Sequence, residues 1–473
     1  MPPPDTPSPG QPTLRRTLGT FDGVAILIGI TIGAGIYSTP QIIATYAGSF
    51  APIIGLWIGC GVFVFIGGLI YAELGTRLPH TGGEYVYIHR CFGPFAGFMF
   101  GWAQLFIIRT SPAAGLAIIT ANYLEYFVEF GDWIYTIGVP GTPIEFEITI
   151  HTLVALSVIA VLGALNYAGV QRASVYQRIS TVLKVGGLFT LVVLALILIG
   201  GQESLLGTEA PPTATLGPLG NTAAALMLVV FSYMGFDRVG YVGGEMKNPR
   251  RAIPLSLIIG LGIVIVLYVL TNLFYHATLG MEGMRDSTIV ASDMATILMG
   301  PIGAGFIAVL VMISTTGSIN GTMMAAPRVY YAMAKDGLFF KWLNYVHPTF
   351  RTPSRAILAH CFWGAVILIV RGTFETIVAG MVFAVLIFYA FTTVSLFILR
   401  KQEVGGDDVY RMPLYPWLPG LYLAGIVALL VIRAIFEWEK SLVDLAFIAT
   451  GLPFALIWVR KKRVPPESPL EDS

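Results

Sequence analysis

The sequence predicts an all-α membrane protein of twelve transmembrane helices, the first and the sixth broken near their middles. Three observations carry this. Of 473 residues, 55% are hydrophobic and only 12% are charged, where a soluble chain carries about 25% charged residues. The apolar residues fall into twelve stretches long enough to cross a bilayer, and lysine and arginine concentrate in alternate connections between them. Glycine-rich interruptions recur five helices apart, the pattern of two inverted five-helix repeats.

Lipid offers the backbone no hydrogen-bond partner, so an apolar run of about 20 residues has to be helical. The runs cover 21–46, 52–76, 96–127, 149–168, 174–200, 219–245, 253–279, 301–333, 355–371, 375–399, 414–435 and 441–460. The first repeat then takes 21–200, the second 219–400, and helices 11 and 12 fill 413–461. Residues 1–20 and 462–473 read as tails. The first is Pro/Ser-rich and disordered, without the basic region and apolar stretch of a cleaved signal peptide. Of the 28 basic residues, 21 lie in one set of connections; the other set holds only Arg285, Arg371, Arg433 and Lys440. The positive-inside rule makes the basic side cytoplasmic, with both termini there, in a plasma-membrane protein. Three pieces lie outside the spans: an amphipathic link at 80–94, an outer loop with acidic residues at 281–296, and a second basic-side link at 334–354.

Several functions are excluded. A net charge of +1 gives nucleic acid nothing to bind. Cys60, Cys91 and Cys361 lack CxxC spacing, so neither a disulfide framework nor a zinc site is expected, and no metal or other cofactor. The six histidines are scattered without an HExxH pair, no serine has a base at useful spacing, and no carboxylates pair on one transmembrane face. No catalytic residue is therefore assigned. A channel needs rings of charge or a filter repeat, and neither is visible.

The first span reads IGITIGAGIYSTP. Its glycines alone fit close helix packing through small residues. A break explains them better once the sixth span, VVFSYMGFDRVGYVGGEMKNP, is set beside it. There Gly235 is followed by Asp237 and Arg238, costly on an unbroken helix facing lipid. A break at Gly33–Ala34–Gly35 frees the amides of Ala34 and Gly35 to face an anion, with the helix restarting at Ile36. Freed carbonyls can hold an ammonium. The candidate binding site therefore comprises Thr31, Ile32, Gly33, Ala34 and Gly35 with Phe231, Ser232, Met234 and Gly235. It suits a zwitterion, and so a carrier of amino acids that meets its substrate near mid-membrane. Phe231 is placed to act as a lid.

Charged residues within spans add candidates. Lys184 sits about ten residues from either end of the fifth span, roughly 15 Å deep. It is either a fixed cation standing in place of a coupling ion or a titrating amine. Arg109, in LFIIRTSP, serves structure or transport equally well. Asp237 is a candidate gate or network residue. Glu245 and Glu73 lie at helix ends, placed to cap and to pair with basic residues.

Five stretches together resemble the amino acid–polyamine–organocation superfamily and, within it, the L-type amino acid transporter family. They are TIGAGIYSTP (31–40), YAELGTRLPHTGGEYVYI (71–88), LFIIRTSP (105–112), FSYMGFDRVGYVGGEMKNPRRAIP (231–254) and TTGSINGTMMAAPRVYYAMAKDG (315–337) with VHPTFRTPS (346–354). The resemblance implies the LeuT-type fold. It implies a substrate carboxylate at Gly33-Ala34-Gly35 and an ammonium at the carbonyls of Thr31, Phe231 and Met234. Phe231 would be an outer gate, and Lys184 a lysine replacing a sodium site. It further implies sodium-independent exchange, with proton-coupled symport, extending to cationic amino acids or polyamines, as the alternative. Ala34 replaces the family's common serine. Met234 stands where carriers of cationic side chains have an acid, which favours neutral substrates. Residues 128–148 contain no cysteine, so no disulfide-linked heavy chain is expected and the chain would work as a monomer.

Overall fold

The computed structural model describes residues 14–131, 133–138, 145–199, 212–213, 217–371, 382–436 and 438–460. Ten helical stretches among them are long and apolar enough to cross a membrane. The first is interrupted: α1 (Thr20–Thr31), α2 (Gly35–Ser38) and α3 (Pro40–Tyr46) occupy the first predicted span. α4 (Phe50–Arg77) follows, then α5 (Glu84–Ala103), a π-helical turn (Gln104–Ile108) and α6 (Thr110–Leu124). α7 (Ile150–Tyr167) and α8 (Val170–Ile199) complete the first half. α9 (Gly217–Tyr233) runs into a 3-10 helix (Phe236–Glu245), which leads to α10 (Pro249–Asp286), α11 (Val290–Met299) and α12 (Ile302–Lys335). The rest comprises α13 (Ser354–Arg371), α14 (Val382–Lys401), α15 (Trp417–Phe436), α16 (Trp438–Ala449) and α17 (Leu452–Arg460).

The predicted spans map onto these elements with four corrections. Ser354–Val370 and Asp444–Trp458 are shorter apolar helices, and the start of the tenth predicted span, 375–381, lies outside the described residues. The chain is not all-α. β1 (Ile134–Gly138) and β2 (Glu145–Thr149) form an antiparallel hairpin pairing Ile134 with Thr149 and Gly138 with Glu145. Its sequence shows why: β-branched and aromatic residues flank a Gly/Pro-rich stretch. The outer loop at 281–296 contains most of α11, beyond an interruption of α10 at Gly280 (φ +67°). The expected N-terminal tail also ends early. The amides of Thr17 and Leu18 donate to the Glu245 carbonyl (2.9 and 3.0 Å), and Leu18 is buried. Residues 1–13 and 461–473 fall outside the description.

The link at 80–94 is a helix in its second part, set off from the membrane run of α5 by Gly93 at φ +83°. Glycine takes that conformation without the Cβ clash other residues meet. Buried ion pairs tie together the end that carries the basic connections. Arg328 of α12 grips Glu245 through both carboxylate oxygens (2.7 and 3.1 Å). Glu73 of α4 accepts from Arg77, from Arg400 of α14 and from the Met412 amide (2.6–2.9 Å). With Glu245 and Arg328 at most 1% exposed, removing one partner strands the other in a dry interior. Arg328→Met is expected to cost about 3–5 kcal/mol, read as a lowered melting temperature of the detergent-purified protein; an unchanged melting temperature contradicts this assignment.

Candidate functional site

The site begins with two interruptions of backbone hydrogen bonding. Ile32 departs from helical geometry at ψ 82°, and regular helix resumes at Gly35, one residue before the expected Ile36. In the second interruption Tyr233 ends α9 and Gly235 adopts φ +127°. The chain then continues as a 3-10 helix rather than an α-helix.

The two interruptions face each other. A methyl group on Gly235 would come within 3.0 Å of Ile30 Cγ2 and 3.3 Å of the Thr31 nitrogen. One on Gly35 would come within 3.0 Å of Ser232 Oγ and 3.2 Å of its Cα. The hydroxyls of Thr39 and Ser232 are 3.1 Å apart. From α10, the Tyr268 hydroxyl bridges both interruptions, donating to the carbonyls of Thr31 (2.9 Å) and Ser232 (3.2 Å).

On the donor side, the amides of Ala34, Gly35 and Ile36 have no acceptor among the described residues. The next two amides, of Tyr37 and Ser38, both bond the Ala34 carbonyl at 3.1 Å. Three adjacent free N–H groups at a helix start favour an anion.

The acceptor side is occupied differently. Lys184 of α8, fully buried, donates to the carbonyls of Gly29 (2.9 Å), Ile32 (2.8 Å) and Ser314 of α12 (2.8 Å). An ammonium has three N–H donors and no acceptor, so three carbonyls match its protonated form. Ser318 adds a bond to Gly29 (2.8 Å), and Ser314 bonds Ile32 (2.8 Å) and Gly33 (3.2 Å). Of the carbonyls assigned to a substrate ammonium, Thr31 receives the Tyr268 hydroxyl and Phe231 the Met234 amide (3.1 Å). Each keeps a lone pair for a second donor. No described residue donates to the Met234 carbonyl.

Ile32, Gly33, Ala34 and Ser232 are buried at the junction, while Phe231 and Met234 are partly exposed. Asp237 lies away from the junction, held by Arg109, with which it makes a direct ion pair, and by the Tyr389 hydroxyl (3.0 Å). Arg238 bonds Thr322 of α12 instead (3.0 Å). Sequence reasoning missed Tyr268, Ser314 and Ser318. The serines stand four apart in STTGSIN and so share a helix face; Tyr268 lies in an apolar run with nothing local to distinguish it.

A polytopic helical protein with two apposed helix breaks and a captive ammonium has the form of a membrane carrier. The chain belongs to the amino acid permease family, whose model matches residues 18–456. It is 31% identical to the serine/threonine exchanger SteT of Bacillus subtilis (strain 168), over 93% of this chain and 96% of that protein. Human b(0,+)-type amino acid transporter 1 is 29% identical, over 96% of this chain and 90% of its own length. The human cystine/glutamate transporter is 28% identical, over 96% and 88%. The family consists of transporters, and this chain is an amino acid transporter.

Lys184→Met keeps most of the side chain's length and removes its three donors. The carbonyls of Gly29, Ile32 and Ser314 each keep a serine hydroxyl but lose a charged donor worth about 1.5–3 kcal/mol, so the variant is expected to melt at a lower temperature and to transport at least about tenfold more slowly. Wild-type melting and uptake would remove Lys184 from the architecture of the site.

Proposed function

We propose that the protein exchanges neutral L-amino acids across the plasma membrane by alternating access, without sodium. The observation that supports this most directly is the Lys184 ammonium on the carbonyls of Gly29, Ile32 and Ser314. It sets a hydrogen-bonding amine at the interruption of the first span, where a mobile cation would otherwise be needed. Exchange is also what the name of the Bacillus subtilis relative records.

In this reading the substrate carboxylate sits on the free amides of Ala34 and Gly35. Its ammonium takes the open lone pairs of Thr31, Phe231 and Met234. Ile32, Gly33, Ser232 and Gly235 form the close walls, Phe231 covers the site, and Asp237 belongs to the gate. The thioether of Met234 offers no counter-charge to a cationic side chain, which favours neutral substrates. The helices form twelve spans, with 21–200 and 219–400 as inverted repeats, and the basic face and both termini are cytoplasmic. Residues 128–148 contain no cysteine, which supports a carrier that works without a disulfide-linked partner, as a monomer.

The test is uptake of labelled amino acids by proteoliposomes. Exchange predicts uptake that requires internal amino acid and persists when choline replaces sodium. Uptake by empty vesicles driven by a pH gradient would favour proton symport instead, and dependence on a sodium gradient would overturn the role given to Lys184. Gly35→Leu pushes its side chain into the Ser232 backbone. It is expected to insert normally and to lose substrate binding; retained binding by the purified variant contradicts the site.

A further inference from the structure

Away from the helix breaks, on their basic-face side, lies a second set of buried charges that amino acid binding does not use. Glu84, Arg109 and Asp237 are each at most 2% exposed. Arg109 donates to Asp237, to the Tyr241 hydroxyl (2.8 Å) and to Gln104 Oε1 (2.6 Å), and lies 3.6 Å from Glu84. One guanidinium thus serves two carboxylates, and it serves them unequally.

The partners decide which carboxylate can change its protonation. Asp237 pairs directly with Arg109, a donor that keeps its charge at any physiological pH, so protonating Asp237 would give up that buried ion pair and its charge-assisted hydrogen bond. Among the described residues, Glu84 meets only hydroxyls at hydrogen-bond distance: Tyr71 of α4 and Thr392 of α14 (3.1 Å) on one oxygen, Tyr241 of the 3-10 helix (2.5 Å) on the other. A hydroxyl donates to a carboxylate and accepts from a carboxylic acid equally well. Glu84 can therefore gain a proton without stranding a partner. Other ionisable groups facing it are Tyr87 on its own helix, Tyr389 of α14 and Tyr422 of α15. Arg238 is turned to Thr322 and does not reach it.

We propose that Glu84 is a proton-binding site that governs opening of the carrier toward its basic face. The proposal rests on the alternating-access reading above. As a carboxylate, Glu84 staples the helix before Gly93 to α4, to α14 and to the half of the sixth span that follows the break at Gly235. Hydrogen bonds to an ionised acceptor are roughly twice as strong as those to a neutral one. Protonation therefore loosens the staple and frees that half of the sixth span to move. No net proton transport is required; the proton sets the rate of opening.

The experiment is amino acid exchange in oriented proteoliposomes, with the pH on the basic face varied from about 5 to about 8.5. The wild type is expected to run about five- to tenfold faster at the acid end. Glu84→Gln, which fixes the protonated shape, is expected to run at the acid rate throughout. A wild-type profile in Glu84→Gln, or a flat profile in the wild type, overturns the proposal. Should Glu84→Gln not fold, infrared difference spectra of the wild type after a pH jump decide. A protonated-carboxyl band that shifts in Thr392→Val supports the site, and no such band, or an unshifted one, overturns it. Failure of the exchange reading is seen separately, as wild-type uptake that needs no internal amino acid.

Discussion

A helix interrupted inside a bilayer exposes carbonyls and amides that lipid cannot satisfy, and the rest of this structure depends on how the interruption after Thr31 is held. The Lys184 ammonium takes the carbonyl side. It spans from α8 to α1 and α12 and brings a charge where the freed carbonyl dipoles point. Ser314, Ser318 and Tyr268 complete the satisfaction. On the amide side, Ala34 to Ile36 have no acceptor among the described residues. An interruption satisfied on one side and open on the other is stable when empty and still able to bind an anion.

The second interruption works by proximity more than by charge. Gly235 brings the sixth span against Ile30 and Thr31, where any side chain would collide, and Gly35 lies against Ser232. Tyr268 then reaches both breaks with one hydroxyl. The two breaks thus share a hydrogen-bond donor and a packing contact. Beyond Gly235 the 3-10 segment carries Asp237 and Tyr241 into the cluster around Arg109. Glu245, at its far end, is clamped by Arg328 and by the amides of Thr17 and Leu18. The same short segment thus links the junction of the two breaks to the ion pair of Glu245 with Arg328.

Much of the architecture was legible because lipid makes the code simple. Apolar runs, alternation of basic connections and paired glycine interruptions each answer to one dominant physical cost. What escaped depended on subtler balances. The hairpin at 134–149 was hidden because an extramembrane loop is free of the bilayer's constraint and was read for cysteine rather than for alternation. α11 was hidden because the acidic residues of 281–296 made that whole stretch read as loop. Leu18 looked like part of a solvated tail until Glu245 and Lys247 supplied its partners.

The sequence by itself determined that the chain spans a membrane, where its two breaks fall, and that Lys184 lies near the middle of its span. These follow from local composition and from the cost of charge and of unpaired backbone in hydrocarbon. Only the tertiary structure decided what those groups touch. That Lys184 meets three carbonyls from two helices, that Tyr268 joins the breaks, and that Glu84 faces hydroxyls while Asp237 faces a guanidinium are relations between residues up to about 300 positions apart. Helix tilt and rotation set such contacts, and neither is written in the periodicity of any single span.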